Sequence, residues 1–564
     1  MARVNVRRVV IAAALWTGAL ASRPAAAQGT AALVRALDLE SRGRPAEAAV
    51  AFRAALATRD MIPALLGLER AYSDLGRTDS LVSIVDSIGH AHPTEALVQN
   101  VRLRTLITAR RDAQANAAFR EWVRATPNNV APYRDYAGLL LDAGQLAQAD
   151  SVLRSAVADG QGRRGVAVML GRLNAARSSW TAAASAWRAG VEEEPYQVQA
   201  AVFALAPAQD ASRDAVRSIL SAPPVRRRSR EVLAGLELGW GAPAAAWNAL
   251  SELPPDTGAV ASWLEFAERA DGVEAWIPAR EAWRAVLRAK CDPDVALRAA
   301  DASVRGGDPG TALIVLDNRS CPADGGTRRR AAVALRVRAL ALAGRAEEAA
   351  TVLAGSGDVL EQSQREALAS AIAWGWVRKG DVTRARATMG SSLDDDTTGV
   401  LGWLALYEGD LATARRTLRA SGAPSRDAVA ALALLSRTRA DRAPGVGRSF
   451  LLLARGDSAG AAAAMESASS ELTDATPVLL MLAARIHIAR GDVVRAEPLW
   501  RRIVEGYEQS PEAAEADLSW AKSLASRGDA AGARTRLEHL ILTYPSSALV
   551  PQARRALDSI GGTT

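Results

Sequence analysis

A short apolar phrase recurs along the chain. A glycine turn is followed five residues on by alanine, and four further on by a bulky apolar residue. It reads Gly43/Ala48/Phe52, Gly144/Ala149/Leu153, Gly344/Ala349/Leu353, Gly380/Ala385/Met389, Gly409/Ala414/Leu418, Gly491/Ala496/Trp500 and Gly528/Ala533/Leu537. Residues four apart share one helical face, so each phrase predicts a helix with a narrow apolar stripe. Glycine supplies the positive φ that ends the helix before it. Proline, which cannot continue a helix, closes several units at Pro93, Pro127, Pro195 and Pro545. The pattern places helix–turn–helix units near residues 29, 62, 96, 130, 164, 196, 227, 260, 293, 330, 366, 395, 442, 477 and 514, mostly 31–37 residues apart. The small alanine lets the second helix of a unit approach the first, and the bulky residue fills the groove between units. No unit can bury its apolar face alone, so the units must stack.

In period and key residues the chain resembles the tetratricopeptide repeat family over nearly all of residues 29–560. The fullest matches are the units with Leu68, Tyr72, Gly76 and Pro93, with Leu170, Gly171, Ala183, Trp187 and Pro195, and with Ala521, Gly528, Ala533, Leu537 and Pro545. The resemblance implies an all-α, superhelical solenoid of about 15 helix pairs. Units from 196 and 227 are degenerate. The register is lost between Ala423 and Gly447, where Ala443-Pro444-Gly445 reads as a break. Ser391 to Gly399, with Asp394, Asp395 and Asp396, reads as a loop. Leu549 to Ile560 reads as a last helix that caps the final unit. The expected divisions are a leader at 1–27, an array at 28–390, irregular repeats and loops at 391–447, and C-terminal repeats with their cap at 448–564.

The C-terminal repeats are more particular. Trp500-Arg-Arg-Ile503, Tyr507 and Ser510-Pro511-Glu-Ala513 are echoed by Leu537, Leu540 and Tyr544-Pro545-Ser546. This is similar to tandem repeats of periplasmic envelope proteins, namely outer-membrane assembly lipoproteins and coordinators of envelope constriction. The lipoprotein cysteine is missing here, so membrane attachment does not follow.

Composition agrees with helix. Aromatic residues are 5% and alanine, leucine and arginine dominate, whereas sheets favour β-branched and aromatic residues. An apolar share of 49% excludes a disordered chain, and 564 residues exceed one ordinary core. The net charge is +7, but Arg3, Arg7, Arg8 and Arg23 lie in the first 27 residues with no acid beside them. Without that stretch the balance is 7 − 4 = +3, too small to argue for nucleic acid. Only Lys290, Lys379 and Lys522 are lysines, which fits a high-GC coding bias.

The N-terminus reads as an export signal. Arg3, Arg7 and Arg8 precede an apolar run from Val9 to Ala21, and Ala25-Ala26-Ala27 offers a small-residue cleavage site before Gln28. The run is too short for an ordinary membrane span, and no later stretch is long enough. The expected location is therefore the periplasm, with outer-membrane association or secretion as alternatives. Such compartments permit disulfides. Cys291 and Cys321 both fall at or just past the ends of second helices in consecutive units, and a bridge between them is expected if the loops lean together. Equivalent points on stacked helices are otherwise about 10 Å apart.

Catalytic and cofactor chemistry is sparse. Gly160-Gln-Gly162-Arg-Arg-Gly165 fits a dinucleotide fingerprint, but it follows a helix and no strand precedes it. The Asp394–Asp396 run lacks calcium-loop spacing. His90 and His92 sit at a helix end, and His487 and His539 fall in separate repeats without cysteine partners. The expectation is no catalytic residue, cofactor or metal. Trp187 and Trp283, with Trp180 and Trp276 seven residues before them, read as packing residues.

One stripe points to binding. In the tetratricopeptide family the first helix (helix A) of each unit lines the concave, peptide-binding groove, and its ninth position faces that groove. Here six units carry a cation there: Arg70, Arg104, Arg172, Arg338, Arg485 and Lys522. Lysine and arginine are 69 of 564 residues, so chance supplies fewer than two. The resemblance thus implies a cationic ladder for a protein or peptide partner with acidic or carboxylate-terminal segments, or for an anionic wall polymer. Trp374, Trp403 and Phe450 hold the same position in three consecutive units, as an apolar stretch of groove or a slip in register. The function expected is an exported, non-enzymatic scaffold that binds peptides or envelope partners on its concave surface. The alternative is a structural adaptor in envelope or secretion assembly that docks through its convex face and ends.

Overall fold

Helical hairpins follow one another along the chain, as the recurring phrase requires. A computed structural model describes residues 25–160, 164–318, 321–322, 325–390, 395–421 and 425–561. Residues 1–24, with the first part of the expected export signal, lie outside them, as do Gln161–Arg163 of the glycine-rich fingerprint and Ser391–Asp394. The described residues form 32 α-helices and no β-strand.

The chain divides into two compact units, Met1–Pro254 and Pro255–Thr564. The first holds seven hairpins: α1 (Ala25–Ser41) with α2 (Pro45–Ala55), α3 (Met61–Asp74) with α4 (Thr78–Ala91), α5 (Ala96–Thr108) with α6 (Asp112–Ala125), α7 (Ala131–Asp142) with α8 (Leu146–Ala158), α9 (Ala167–Ala176) with α10 (Trp180–Glu193), α11 (Val198–Leu205) with α12 (Asp210–Ser221), and α13 (Arg227–Gly239) with α14 (Pro243–Ser251). The second continues with α15 (Thr257–Gly272) and α16 (Trp276–Ala289), α17 (Pro293–Arg305) and α18 (Pro309–Leu316), α19 (Gly326–Leu342) and α20 (Ala346–Ala354), α21 (Gln362–Lys379) and α22 (Val382–Met389), and α23 (Asp395–Tyr407) and α24 (Leu411–Ala420). A lone helix, α25 (Arg426–Arg437), follows. Then come α26 (Pro444–Ala454) with α27 (Ser458–Glu471), α28 (Thr476–Ala489) with α29 (Val493–Gly506), α30 (Pro511–Ser526) with α31 (Ala530–Thr543), and a final α32 (Val550–Gly561).

Among the described residues that is 15 helix–turn–helix hairpins, a single inserted helix and a cap. The physical basis is the one the phrase announces. Ala48, Ala149, Ala349, Ala385, Ala414, Ala496 and Ala533 are all fully buried between helices. The seven glycines of the phrase all take positive φ, between +67° and +87°. Arg110, Ser178 and Glu274 take the same left-handed turn at φ 56–58° without glycine. Trp187 and Trp283 are packing residues, 0% and 1% exposed. Buried side chains form successive clusters along the stack rather than one centre, as expected where each hairpin contacts mainly its neighbours. Val550 and Ala553 of α32 close the last cluster over Leu537 and Leu540.

One expectation is corrected and another acquires its physical reason. Asp395–Gly399 is not loop: α23 begins at Asp395 and forms a regular hairpin with α24. The lost register at 423–447 is the extra helix α25, which interrupts the alternation of first and second helices. The next first helix, α26, skips it and packs on α23.

Candidate functional site on the helix-A face

The predicted ladder lies on first helices, but most of its charge is already compensated. Arg70 on α3 donates from Nε and Nη2 to Glu40 on α1, at 2.8 and 3.0 Å. Arg104 on α5 makes the same two-pronged bond to Glu69 on α3, with both contacts at 2.6 Å. Arg172 on α9 reaches Asp142 at the end of α7 at 2.5 Å, and Arg485 on α28 bonds Glu515 on α30. The carboxylate hydrogen bonds raise the Arg70 and Arg104 pKa values above the usual arginine range. Only Arg338 and Lys522, both exposed, have no ionic or hydrogen-bond partner among the described residues.

The stripe is therefore a series of ion pairs between neighbouring first helices at four of its six positions. In three of the four pairs the partners are 30 residues apart, one short repeat, which puts them at matching heights on adjacent helices. Beside Arg70 and Arg104 lies a cavity of about 370 Å³, also lined by Glu40, Glu69, Asp74 and Thr105. Carboxylates outnumber guanidinium groups there three to two, so this stretch does not present the positive surface expected for an anionic ligand.

A different site emerges farther along, in the second unit. Trp374 on α21, Trp403 and Tyr407 on α23, and Phe450 on α26 line one cavity of about 700 Å³ with Leu482, Arg485 and Ile486 of α28. Trp403 stacks on Tyr407 at 5.9 Å between ring centroids. Trp374 meets Tyr407 edge-on at 6.5 Å, and Trp403 lies 6.4 Å from Phe450. The three aromatic residues at the ninth position are thus brought together. The inserted α25 adds a further wall through Asp427 and Ala430.

Local sequence explains the closeness. A Cβ on Gly447 would fall 2.6–2.7 Å from the Gly409 nitrogen and the Leu406 and Tyr407 carbonyls, so only glycine lets α26 sit this near α23. Backbone bonds from Ala443 N to Gly409 O (2.9 Å) and from Leu411 N to Asp441 O (2.8 Å) fasten the segment. Arg415 on α24 holds the end of α25. Its Nε donates to Leu435 O at 2.8 Å, and its Nη2 to Thr438 O and Ala440 O at 3.0 and 3.2 Å. Leu435 is in the last turn of α25, whose carbonyls lack partners within the helix itself, and Thr438 and Ala440 lie just beyond its end.

The charges around the cavity are few. Arg378 donates to Ala341 O at 2.8 Å and has no carboxylate partner among the described residues; desolvation lowers its pKa. Asp427 is exposed and has no ion pair among them. Tyr407 is 8% exposed. Burial, and then the charge of Asp427, pushes its phenol pKa well above the usual value. Its hydroxyl has no hydrogen-bond partner among the described residues.

The structure joins Cys291 and Cys321 in a disulfide with Cα atoms 5.5 Å apart. The approach is closer than stacked helix ends alone would give. Helix α18 has eight residues, and the chain after it turns back, with Cys321 N bonded to Asn318 O at 3.1 Å. His90 lies beside Asp86, Glu121 and the buried Arg102, which bonds both acids. His487 and His539 are held by Glu466 and Asp517, each within its own pair of neighbouring helices. No cluster of three or more metal-ligating side chains occurs among the described residues. No helix among them is long and apolar enough to cross a membrane.

Fold and site together define a tetratricopeptide-type helical-repeat array with a shaped cavity on its first helices. No family model and no curated protein matches the chain. Similar solved structures include the APC/C hetero-tetramer Cut9-Hcn1, at 10% identity over 94% of this chain and 96% of that one, with a TM-score of 0.25. A Naa15/Naa10 structure bound to HypK-THB shares 13% identity over 88% and 96%, with a TM-score of 0.21. The pentatricopeptide repeat protein PPR10 from maize shares 15% over 94% and 83%, with a TM-score of 0.28. Likenesses at this level carry neither family nor function to this chain.

Proposed function

We propose that this chain is an exported, non-enzymatic scaffold that holds peptide segments of envelope partners on its helix-A surface. The observation that carries the reading is the 700 Å³ cavity, which successive first helices build from side chains at and around one repeat position. Rigid helices hold these walls in place before a partner arrives, which reduces the ordering cost of binding. The charged N-terminal segment with its apolar run supports export, and the Cys291–Cys321 bridge suits an oxidising compartment. Periplasmic residence is part of the proposal.

The test is a crosslinking pull-down of the mature chain from its own envelope fraction. It is run beside Trp403→Ala and a double variant, Arg338→Glu with Lys522→Glu. A partner captured by the native chain and lost by Trp403→Ala supports the helix-A surface. Equal capture by all three proteins moves docking to the second helices and the ends, the adaptor reading. Sequencing the N-terminus of the exported protein checks the processing site, with Gln28 as the expected first residue.

A further inference from the structure

We propose that the cavity between α21, α23, α25, α26 and α28 is an anchor pocket for a neutral, bulky apolar side chain, aromatic or branched, borne on a partner peptide. This deepens the peptide-binding reading and rests on it. Four observations lead to this occupant.

The walls are mainly aromatic and aliphatic, and Trp374 and Trp403 remain only partly buried in the free chain. A bulky apolar side chain would cover that surface and gain from its removal from water. The volume of about 700 Å³ suits a ligand larger than a single small group.

The charges balance. Glu515 already neutralises Arg485, and Arg378 and Asp427 are one cation and one anion. An acidic side chain would face Asp427, and a basic one would face Arg378. A neutral side chain meets neither penalty.

The polar groups fit a peptide backbone. Tyr407 is more than nine-tenths buried, lines the cavity and has no hydrogen-bond partner for its hydroxyl among the described residues. The ring is covered while the hydroxyl oxygen keeps some accessible surface, so a ligand can reach it. With its pKa pushed up it stays protonated and can donate to a peptide carbonyl. Asp427 can accept from a peptide N–H at the rim.

The enclosure is specific to this place. Helix α25 belongs to no hairpin, and its Asp427 and Ala430 supply the wall that a regular repeat lacks. Arg415 secures it by three bonds to carbonyls at and just beyond its end.

The experiment uses ligand-observed saturation-transfer NMR on the full mature chain. Three probes are compared: N-acetyl-L-phenylalaninamide, N-acetyl-L-glutamic acid amide and N-acetyl-L-lysinamide. The phenylalanine probe is expected to bind at least about 5-fold more tightly than either charged one, a difference of about 1 kcal/mol. Ala430→Trp, which fills the cavity from the partly buried face of α25, is expected to abolish that binding at an unchanged melting temperature. Tyr407→Phe keeps the ring and is expected to weaken binding roughly 3- to 10-fold through loss of one hydrogen bond. Equal binding of the three probes, or undiminished binding to Ala430→Trp, overturns the pocket. A selection of random 12-residue peptides on the same chain separates the two levels of the argument. Peptides retained equally by Ala430→Trp sink the anchor pocket and leave peptide binding standing. Retained peptides that share a bulky apolar residue and are lost on Ala430→Trp support both. A chain that binds the phenylalanine probe but retains no peptide overturns the peptide reading and the claim that a peptide carries the anchor.

Discussion

Arginine does two jobs in this chain, and only one faces outward. Arg104 and Arg172 tie neighbouring first helices through acids on the preceding one, whereas Arg338 stands free. Reversing these positions therefore has unequal effects. Arg104→Glu would set two carboxylates against each other and lower stability by roughly 1–2 kcal/mol after allowance for solvent screening. Arg338→Glu should change the urea midpoint hardly at all, and chemical denaturation of both variants checks this. Asp308 gives a pH-dependent case. Its carboxylate caps α18, accepting from the Thr311 N–H at 3.0 Å and the Thr311 hydroxyl at 2.8 Å. Those bonds, chiefly the backbone one, hold its pKa below the usual carboxylate value. A depressed folded pKa means stability that is present above the unfolded value of about 3.9 and is lost as pH falls through the folded one. Asp308→Ala should cost about 1 kcal/mol at pH 7, and the gap to the native chain should close at the acid end of a pH series of melts. The cations of the stripe were legible in the sequence, but their neutralisation was not read from it. The signal was present: an acid one repeat away, as in Glu40 with Arg70 and Asp142 with Arg172. A search for isolated cations passes over it because the partner lies on another helix.

Helices and turns were legible where the repeat is regular. The turn glycine, the buried alanine and the groove-filling residue each answer a separate steric demand, so together they fix the hairpin. Glu274 shows what happens when one is missing. It holds the left-handed turn between α15 and α16 at φ 58°, a conformation that costs a non-glycine residue about 1–2 kcal/mol. Glu274→Gly should raise stability by up to about 1 kcal/mol, less the added freedom of the unfolded chain, as a shift in the denaturation midpoint of the second unit. Helix α25 was hidden for the opposite reason. It carries no turn glycine or paired alanine because it belongs to no hairpin. Its own pattern of Ala428, Ala431, Leu434 and Leu435, behind the Ser425 cap, is that of an ordinary amphipathic helix. With the helix unread, the ninth-position aromatics looked like either groove or slipped register. Arg415→Ala should release the end of α25. Amide exchange should then quicken across 428–437 while α21 keeps its protection.

At the scale of the whole molecule, stability is assembled hairpin by hairpin. The first compact unit distributes its buried side chains over three successive clusters among the described residues, so damage to one hairpin there is felt mainly by the next. The cysteine bridge is an exception to that economy of short links, because it fastens the ends of two second helices across a whole intervening first helix. Closing a loop of this size in the unfolded chain is worth about 3–4 kcal/mol on the chain-entropy view. It also has a mechanical meaning. When an array of hairpins is drawn out from its ends, every residue eventually adds length, but the stretch from Cys291 to Cys321, a sequence separation of 30, is held back until the bond is cut. Its reach is about 100 Å at roughly 3.5 Å per residue. Single-molecule pulling should therefore find the oxidised chain shorter by about that amount at full extension than the same chain in reductant. Equal extension would mean that the two sulfurs are not joined in solution. A scaffold anchored at one end and loaded at the other would keep this stretch in reserve, with the redox state of its surroundings deciding how far it can be stretched.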